Sequence, residues 1–586
     1  MSSQSPVVRS MYEHSVSAVA EYFTYFRRDL RELPETVLFD VYMKLFAENK
    51  LCILGVEFSD LNIFSRLLKI NNSRVMLIKC FQALQCHGTR LAYDLAQSYN
   101  IKASYCQDKY SSKDSAIEIG IRLGGFLIDT GWFMESIMVL RKCRELCFSL
   151  PDNLPAWKKI LDCCHKLLLA ESSYSQFEGA AVTRKEVEET VEKVKKTDEN
   201  MCFAAVYTQL SVHSFYLSNY RDAHNWSIEA VQQLTPNTCK RVTVETLSQA
   251  AKACVMKREL RLAEALIRLA VYTAAETFGT FHPKYAEALT EYGYYLLNSD
   301  STRDSVVVYK RALKLKKAVF GEKNLHVAAM KEDLAYALYV HEYASGRFNT
   351  ANHHATQAIE TLTKLLPEEH LMLASAHRVK ALILEEIALD HMSQFMETQS
   401  KLLSEAEKLH QNALRLCLAA FGEYNVQTAK HYGNLGRLYQ SMKRYQEAEQ
   451  MHLKAIEIKE CLLGMDDYEV GLSVGHLASL YNFHMEEYRK AETLYFRSIN
   501  ISLKLFSEAY SGLEYDYRGL IHVYTHLNQM DNAEGYLRII EQWKRLRQQE
   551  VNKDRPPLEH SPPVYTLSQI QGSLEAMKKG LPHPFV

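Results

Sequence analysis

The sequence predicts an all-α protein: an N-terminal helical box followed by a superhelical solenoid of stacked helix pairs. Three observations predict it. An aromatic–glycine step recurs as Phe278-Gly279, Phe320-Gly321 and Phe421-Gly422, joined by Leu463-Gly464 and a degenerate Phe506-Ser507. Its spacing is nearly constant, 42 residues from Gly279 to Gly321 and again from Gly422 to Gly464. Between the marks, small residues stand where two helices must touch (Gly436, Ala448, Ala455), and large ones fill the gaps (Leu435, Tyr439, Tyr445). Every strongly periodic segment also repeats its apolar residues at the three- or four-residue spacing of a helix face.

Runs such as Asn434-Leu435-Gly436-Arg437-Leu438-Tyr439, then Arg444 to Glu449, then Lys454-Ala455-Ile456 mark tetratricopeptide helix-turn-helix units. Their period is lengthened from the usual ~34 residues. One unit cannot bury its apolar face alone, so units stack and leave a long concave surface. Such a surface binds extended peptides, which points to a binding protein rather than a catalyst.

Taken in order, residues 1–20 are polar and expected to be a flexible N-terminus. Residues 21–115 form a helical region in which Leu33-Pro34-Glu35 opens a helix, Pro34 sitting where a missing amide proton matters least. That helix spaces Val37, Leu38, Val41, Leu45 and Phe46 three or four residues apart, an apolar stripe on one face. Residues 116–240 read as irregular hairpins, one from Leu123-Gly124 through Trp132-Phe133 to Cys143, another around Leu210, Tyr220, Ala223 and Ala230. A charged stretch near 171–200, with Glu and Lys alternating from Lys185 to Lys196, reads as a solvated helix or linker. The regular array spans 241–547, with stretched copies at Val340–Gly346 and Asp390–Ser404 that belong on loops. The last segment, 548–586, carries Pro556-Pro557, Pro562-Pro563, Pro582 and Pro584 and is expected to be a disordered tail.

The net charge of −1 argues against a general nucleic-acid footprint or a polybasic membrane surface. No stretch approaches the ~18 uninterrupted apolar residues of a membrane span. An odd count of 13 cysteines, scattered through helical patterns, reads as thiols in a reducing compartment, the cytosol or nucleus. Enzyme signatures are absent: there is no phosphate-binding glycine loop, no His-Glu-x-x-His and no Gly-x-Ser-x-Gly elbow. Cys163-Cys164-His165 lacks the ligand spacing of a zinc site, so neither metal nor cofactor is expected.

The concave face carries the functional reading. In each unit the residue before the small-residue anchor on the first helix faces the groove, as do those one turn away, because a helix repeats every ~3.6 residues. This selects Glu287, Glu291 and Tyr294, then Glu332, Asp333 and Tyr336, then Lys430, Asn434, Arg437 and Gln440. Later units add His476, Ser479 and Asn482, then Tyr515, Arg518 and His522. Early units are thus acidic and late ones basic, a polarity that fits a peptide with a basic side chain at one end and a free carboxylate at the other. Glu291 and Asp333 are expected on the basic side chain and Lys430, Asn434 and Arg437 on the backbone and carboxylate, with Tyr336, His476 and Tyr515 also among the peptide-binding residues. Asn434 stands out because Asn is a poor mid-helix residue whose amide both donates and accepts.

The Asn-Leu-Gly-x-Leu-Tyr phrase and the long period resemble the cargo-binding repeats of kinesin light chains. A closer likeness is to tetratricopeptide substrate receptors of cullin-RING ubiquitin ligases. His326–Tyr343, Arg378–Ile387, Asn425–Met442, Gly475–Asn482 and Gly512–Leu520 carry it, as do Leu33–Leu45 and Leu123–Trp132, over about residues 15–545. The resemblance implies a non-catalytic subunit whose N-terminal box, at Leu33, Pro34, Leu38, Val41 and Leu45, engages elongin B/C and cullin-2. Its repeats would read Arg-x-x-Gly degrons at substrate C-termini. A second implied activity is cargo adaptation: binding of the amyloid precursor protein's cytoplasmic tail in intracellular transport, with association to microtubules and membranes. A homo-oligomer is compatible with either.

Overall fold

The structure, a computed structural model, describes residues 10–70, 72–106, 110–198, 200–343, 345–390, 396–551 and 562–585. Every regular element among them is a helix. The chain divides into two compact units. The first is Met1–His213 with Phe281–Ala286 and Lys314–Val327; the second is Ser214–Thr280, Glu287–Leu313 and Ala328–Val586.

The first unit begins earlier than the polar sequence suggests. Ser10 caps helix Met11–Glu21 in a reciprocal box with Glu13, so residues 10–20 are helical; 1–9 lie outside the described residues. Pro34 is the N-cap of helix Glu35–Ala47. The apolar stripe of that helix faces the unit's own core, which corrects the expectation that it is available to another protein. Leu38 and Leu45 are fully buried and Val41 nearly so, while Leu33 and Pro34 remain exposed. The reason lies beside the stripe: Tyr42 starts a run of edge-packed rings, Tyr42–Phe58 at 5.6 Å, Phe58–Phe64 at 5.6 Å and Phe64–Phe126 at 5.4 Å. The helix must turn this side inward to join them.

The charged stretch near 171–200 includes the end of helix Leu154–Ser173 and helix Phe177–Thr197, packed together. Ala180, Val187, Val191 and Val194 are buried and the Glu–Lys alternation covers the outer side. Glu171, fully buried, accepts from Thr183 Oγ1 (2.8 Å) and pairs with Arg141 (2.7 Å). Gly124 is required by packing, since a Cβ there would sit 2.4 Å from Leu140.

The array comprises helix pairs Lys240–Met256/Leu260–Phe278, Pro283–Asn298/Thr302–Phe320, Leu325–His341/Asn349–Leu365, Met372–Asp390/Met396–Phe421, Val426–Ser441/Tyr445–Leu463, Tyr468–Phe483/Tyr488–Leu505 and Leu513–His526/Met530–Val551. The recurring glycine mark is the stop of four of these second helices, while Asn349–Leu365 ends at Leu366. Gly279, Gly321, Gly422 and Gly464 have φ of +83, +73, +74 and +93°, and their amides close the last turn, as Gly279 N does to Ala275 O. Where Ser507 replaces glycine, the chain leaves in an extended conformation at Phe506. The Asp390–Ser404 expansion lengthens helix Met396–Phe421, with 391–395 outside the described residues.

Within the second unit, turns of early repeats touch late ones. Asp300 accepts from Ser511 N (2.9 Å), Ser511 Oγ (2.7 Å) and Arg547 Nη1 (2.6 Å). The Arg258 guanidinium lies 4.0 Å above the Tyr468 ring, and Asn425 Nδ2 donates to Leu217 O (3.1 Å).

The segment read as a disordered tail contains a helix, Leu567–Lys578, capped by Thr566 and Gln569. Its prolines flank it, Pro562-Pro563 before and Pro582 and Pro584 after, leaving a proline-free amphipathic stretch between; Pro556-Pro557 lie outside the described residues. Ile570 and Leu574 are buried, and Gln571 Nε2 donates to Val231 O and Leu234 O (2.9 Å each). Those carbonyls lie at and just past the C-terminus of helix Tyr220–Gln232, where a helix runs short of backbone donors, although Val231 O also takes Leu234 N (3.2 Å).

Candidate peptide-binding site

The groove residues come from first helices of successive repeats, and two of them, Ser479 and Asn482, are buried, Asn482 Nδ2 donating to Gly519 O (3.1 Å). Gly436 meets His452 of its partner helix, and Ala448 and Ala455 are fully buried. With those contacts turned in, Lys430, Asn434 and Arg437 lie on the other side of Val426–Ser441, half-buried.

Charge along this face is paired rather than segregated, a correction to the acidic-to-basic gradient. Glu291 pairs with Lys252 Nζ (3.2 Å), which also lies over the Tyr294 ring (5.5 Å). Lys430 pairs with Glu469 (2.9 Å), which in addition takes Lys459 Nζ (3.2 Å). Burial opposes the charge on Glu469, yet the two ammonium groups outweigh it and hold the carboxyl well below its usual range. Arg437 donates to Glu386 (2.9 Å) and Tyr339 Oη (3.3 Å), with Glu385 at 3.6 Å. Arg518 lies in solvent, its side chain 60% exposed, bonded to Glu514 one turn earlier.

Two groups stand out on this face. Glu332 is pushed up to about 7, first by desolvation and then by the neighbouring Asp333 carboxylate. The Asn434 amide has no hydrogen-bond partner among the described residues, and it stands one turn from the Arg437 guanidinium. Around them Tyr336 lies under the Arg378 guanidinium (4.9 Å), and Tyr515 keeps 46% of its surface exposed. Surrounding protein pushes the Tyr515 phenol up to about 12, with Tyr343 and Arg437 within electrostatic reach. His476 faces His452 with ring centroids 6.2 Å apart, and burial drives it well below its ordinary range, so it is a neutral donor–acceptor.

The structure therefore sets Asp333 beside Glu332 and one turn from Tyr336, and joins Arg437 to Tyr339, Glu385 and Glu386 with Tyr515 and His476 in its electrostatic reach, while Lys430 belongs to a separate cluster with Glu469. Sequence reasoning missed Lys252, Arg378, Glu385, Glu386 and Glu469. The Glu385-Glu386 doublet on a first helix was a readable signal; which cation it meets was not. Chemically, the face offers carboxylates, phenols, guanidinium groups and neutral imidazoles.

A tetratricopeptide repeat family model matches residues 395–460. Amyloid protein-binding protein 2 from Mus musculus is 47% identical over 547 residues, covering 93% of both chains, and the Rattus norvegicus protein matches equally. Among solved structures, a Rap protein complexed with competence and sporulation factor is similar at TM-score 0.47 and 12% identity, over 67% of this chain and 99% of that one. BtubC (BKLC) from P. vanneervenii is similar at TM-score 0.30 and 16% identity, over 48% of this chain and 98% of that one.

Proposed function

The chain belongs to the amyloid protein-binding protein 2 family of tetratricopeptide-repeat proteins, and from that membership we propose that it is the substrate-recognition subunit of a cullin-2–elongin B/C RING ubiquitin ligase. Its groove takes C-terminal Arg-x-x-Gly degrons, in the cytosol and nucleus. The observation that carries the groove assignment is the Glu332–Asp333 pair. Glu332 is pushed up to about 7 although Ser375 hydrogen-bonds it and the Arg378 guanidinium stands near, and beside a second carboxylate it suits a planar guanidinium that can approach both. The unpartnered Asn434 amide suits the peptide backbone beyond it. Arg437, already shared by Glu385 and Glu386, takes the terminal carboxylate with Tyr515.

Apolar surface at the start of the first unit supports a docking face for the ligase partners: Tyr25 is 82% exposed, Phe26 42% and Leu33 38%. A second reading, a microtubule-associated adaptor for the amyloid precursor protein's tail, draws on the name of the relatives. Affinity purification followed by mass spectrometry tests the proposal, with Leu33→Asp alongside the wild type. Elongins and a cullin bound to wild type and lost in the variant are expected. Kinesin or membrane-protein tails without them would overturn the ligase reading.

A further inference from the structure

We propose a zinc site between the first helices of the second unit, formed by His224, Cys254 and Glu259 with water as the fourth ligand. The imidazole nitrogen, thiol sulfur and carboxylate oxygen of these residues all lie within 4.8 Å of one another. His224 Nε2 is 3.0 Å from Glu259 Oε2, and Cys254 is fully buried behind them.

The backbone sets this up. Arg258 has φ +60°, which turns the chain so that Glu259 N donates to Cys254 O (3.0 Å), bringing both side chains to one point. Arg258 itself swings away to lie over Tyr468. Glu259 also borders a cavity of about 1230 Å³.

The repeat shows that this is a departure from the packing solution used elsewhere. In later units the residue five beyond the N-cap of a second helix meets the residue whose carbonyl accepts the next N-cap amide. There the pair is Glu449 with Tyr481, whose Oη donates to the carboxylate at 2.6 Å. Glu492 and Tyr524 hydrogen-bond at the same register. In the early unit those positions are His224 and Cys254, and the N-cap is Glu259. A carboxylate–phenol bond has been replaced by imidazole and thiol, with a carboxylate brought alongside.

The donor set fits a borderline-soft divalent ion. One thiolate, one carboxylate and a neutral imidazole cancel the charge of Zn²⁺, and a ligand-accessible fourth position remains because Glu259 is 30% exposed. The thiols of Cys143, Cys147 and Cys163 lie equally close. Ligated, they would leave a net negative charge sealed in the first unit's core, and they instead point to carbonyls such as Leu140 O.

Full-length protein, reduced and stripped of metal, is titrated with Co²⁺ and then Zn²⁺. One equivalent of Co²⁺ with a thiolate-to-cobalt charge-transfer band is expected, displaced by Zn²⁺. Cys254→Ser should abolish the band, and His224→Gln or Glu259→Gln should weaken Zn²⁺ binding by more than the ~10–100-fold that losing an outer partner costs. No binding, or a band that survives Cys254→Ser, overturns the site; a band lost instead in Cys143→Ser moves it to the thiol triad. Should a variant fail to fold, zinc X-ray absorption on the wild type decides alone: one sulfur with nitrogen and oxygen neighbours supports the assignment, a sulfur-only or sulfur-free shell rejects it.

Discussion

Gly436 leaves the space that the His452 imidazole fills. A Cβ on Gly436 would lie 2.9 Å from three atoms of that ring, closer than real contacts allow, and His452 is itself fully buried with neither ring nitrogen bonded. The imidazole therefore packs as a flat apolar plate, kept neutral by burial, which lowers it to about 3.

Gly436→Leu should destabilise the protein by at least about 2 kcal/mol, since overpacking costs ~1–3 kcal/mol and the larger side chain has nowhere to turn. Gly535 is the matched control. It lies within helix Met530–Val551 with nothing within 4 Å of its absent Cβ, so Gly535→Ala should stabilise by about 0.5–1 kcal/mol through backbone entropy. Urea unfolding of both variants checks the pair; shifts of the same sign would contradict the helix contact at Gly436.

Asp516 gives a pH signature of known sign. It is 3% exposed, accepts from Ser498 Oγ (2.7 Å), and burial pushes it up to about 7. Between its unfolded value of about 3.9 and its folded value the unfolded chain has lost a proton that the folded chain keeps, so this residue makes stability fall as pH rises through that window. Asp516→Asn removes the ionisation. The variant's gain over wild type should grow by about 1.4 kcal/mol per pH unit across the window and level off above about 7. A gain that does not vary with pH would show that the carboxyl is not desolvated.

In the groove, Asp333→Lys should weaken binding of a C-terminal Arg-x-x-Gly peptide by roughly tenfold or more, since it removes attraction and adds repulsion. Glu332→Gln should cost less and flatten the pH dependence of binding near neutrality, because Glu332 is the group pushed up to about 7. Titration calorimetry measures both. Equal losses for a peptide whose arginine is replaced by alanine would place the basic side chain elsewhere.

The tail helix is held by few contacts, so it can be released without unfolding the array. Ile570→Asp with Leu574→Asp should free residues 562–585 to proteolysis while the melting temperature of the array is nearly unchanged. Protection equal to wild type would mean that Gln571 and Lys578, bonded to Val231 O and Glu229, suffice to hold it.

What the sequence revealed followed from period and small residues. The glycine marks became helix stops, and Gly436, Ala448 and Ala455 became helix contacts, because local backbone chemistry and the repeat length determine both. The Leu38–Leu45 stripe was misread because an apolar face looks the same whether its partner is Phe58 of the same chain or another protein. Arg437 was placed on the concave face, but its neighbours Glu385 and Glu386 come from a different repeat, and a one-dimensional period does not say which charges meet across it. The helix at 567–578 was hidden by judging the segment on its average proline content rather than on where the prolines fall.

The bonds from Asp300 to Ser511 and Arg547 change how the array should come apart. A linear stack feels only nearest neighbours and loses its end units first under mild denaturant. Here the turn between Pro283–Asn298 and Thr302–Phe320 is tied to the last helix pair across 247 residues, so that last pair cannot leave without breaking charge-assisted bonds to an early repeat. Amide exchange in the last pair should then slow to the rate of the middle ones, and Asp300→Ala should restore its fraying, a substitution in an early turn loosening a helix far away in the sequence.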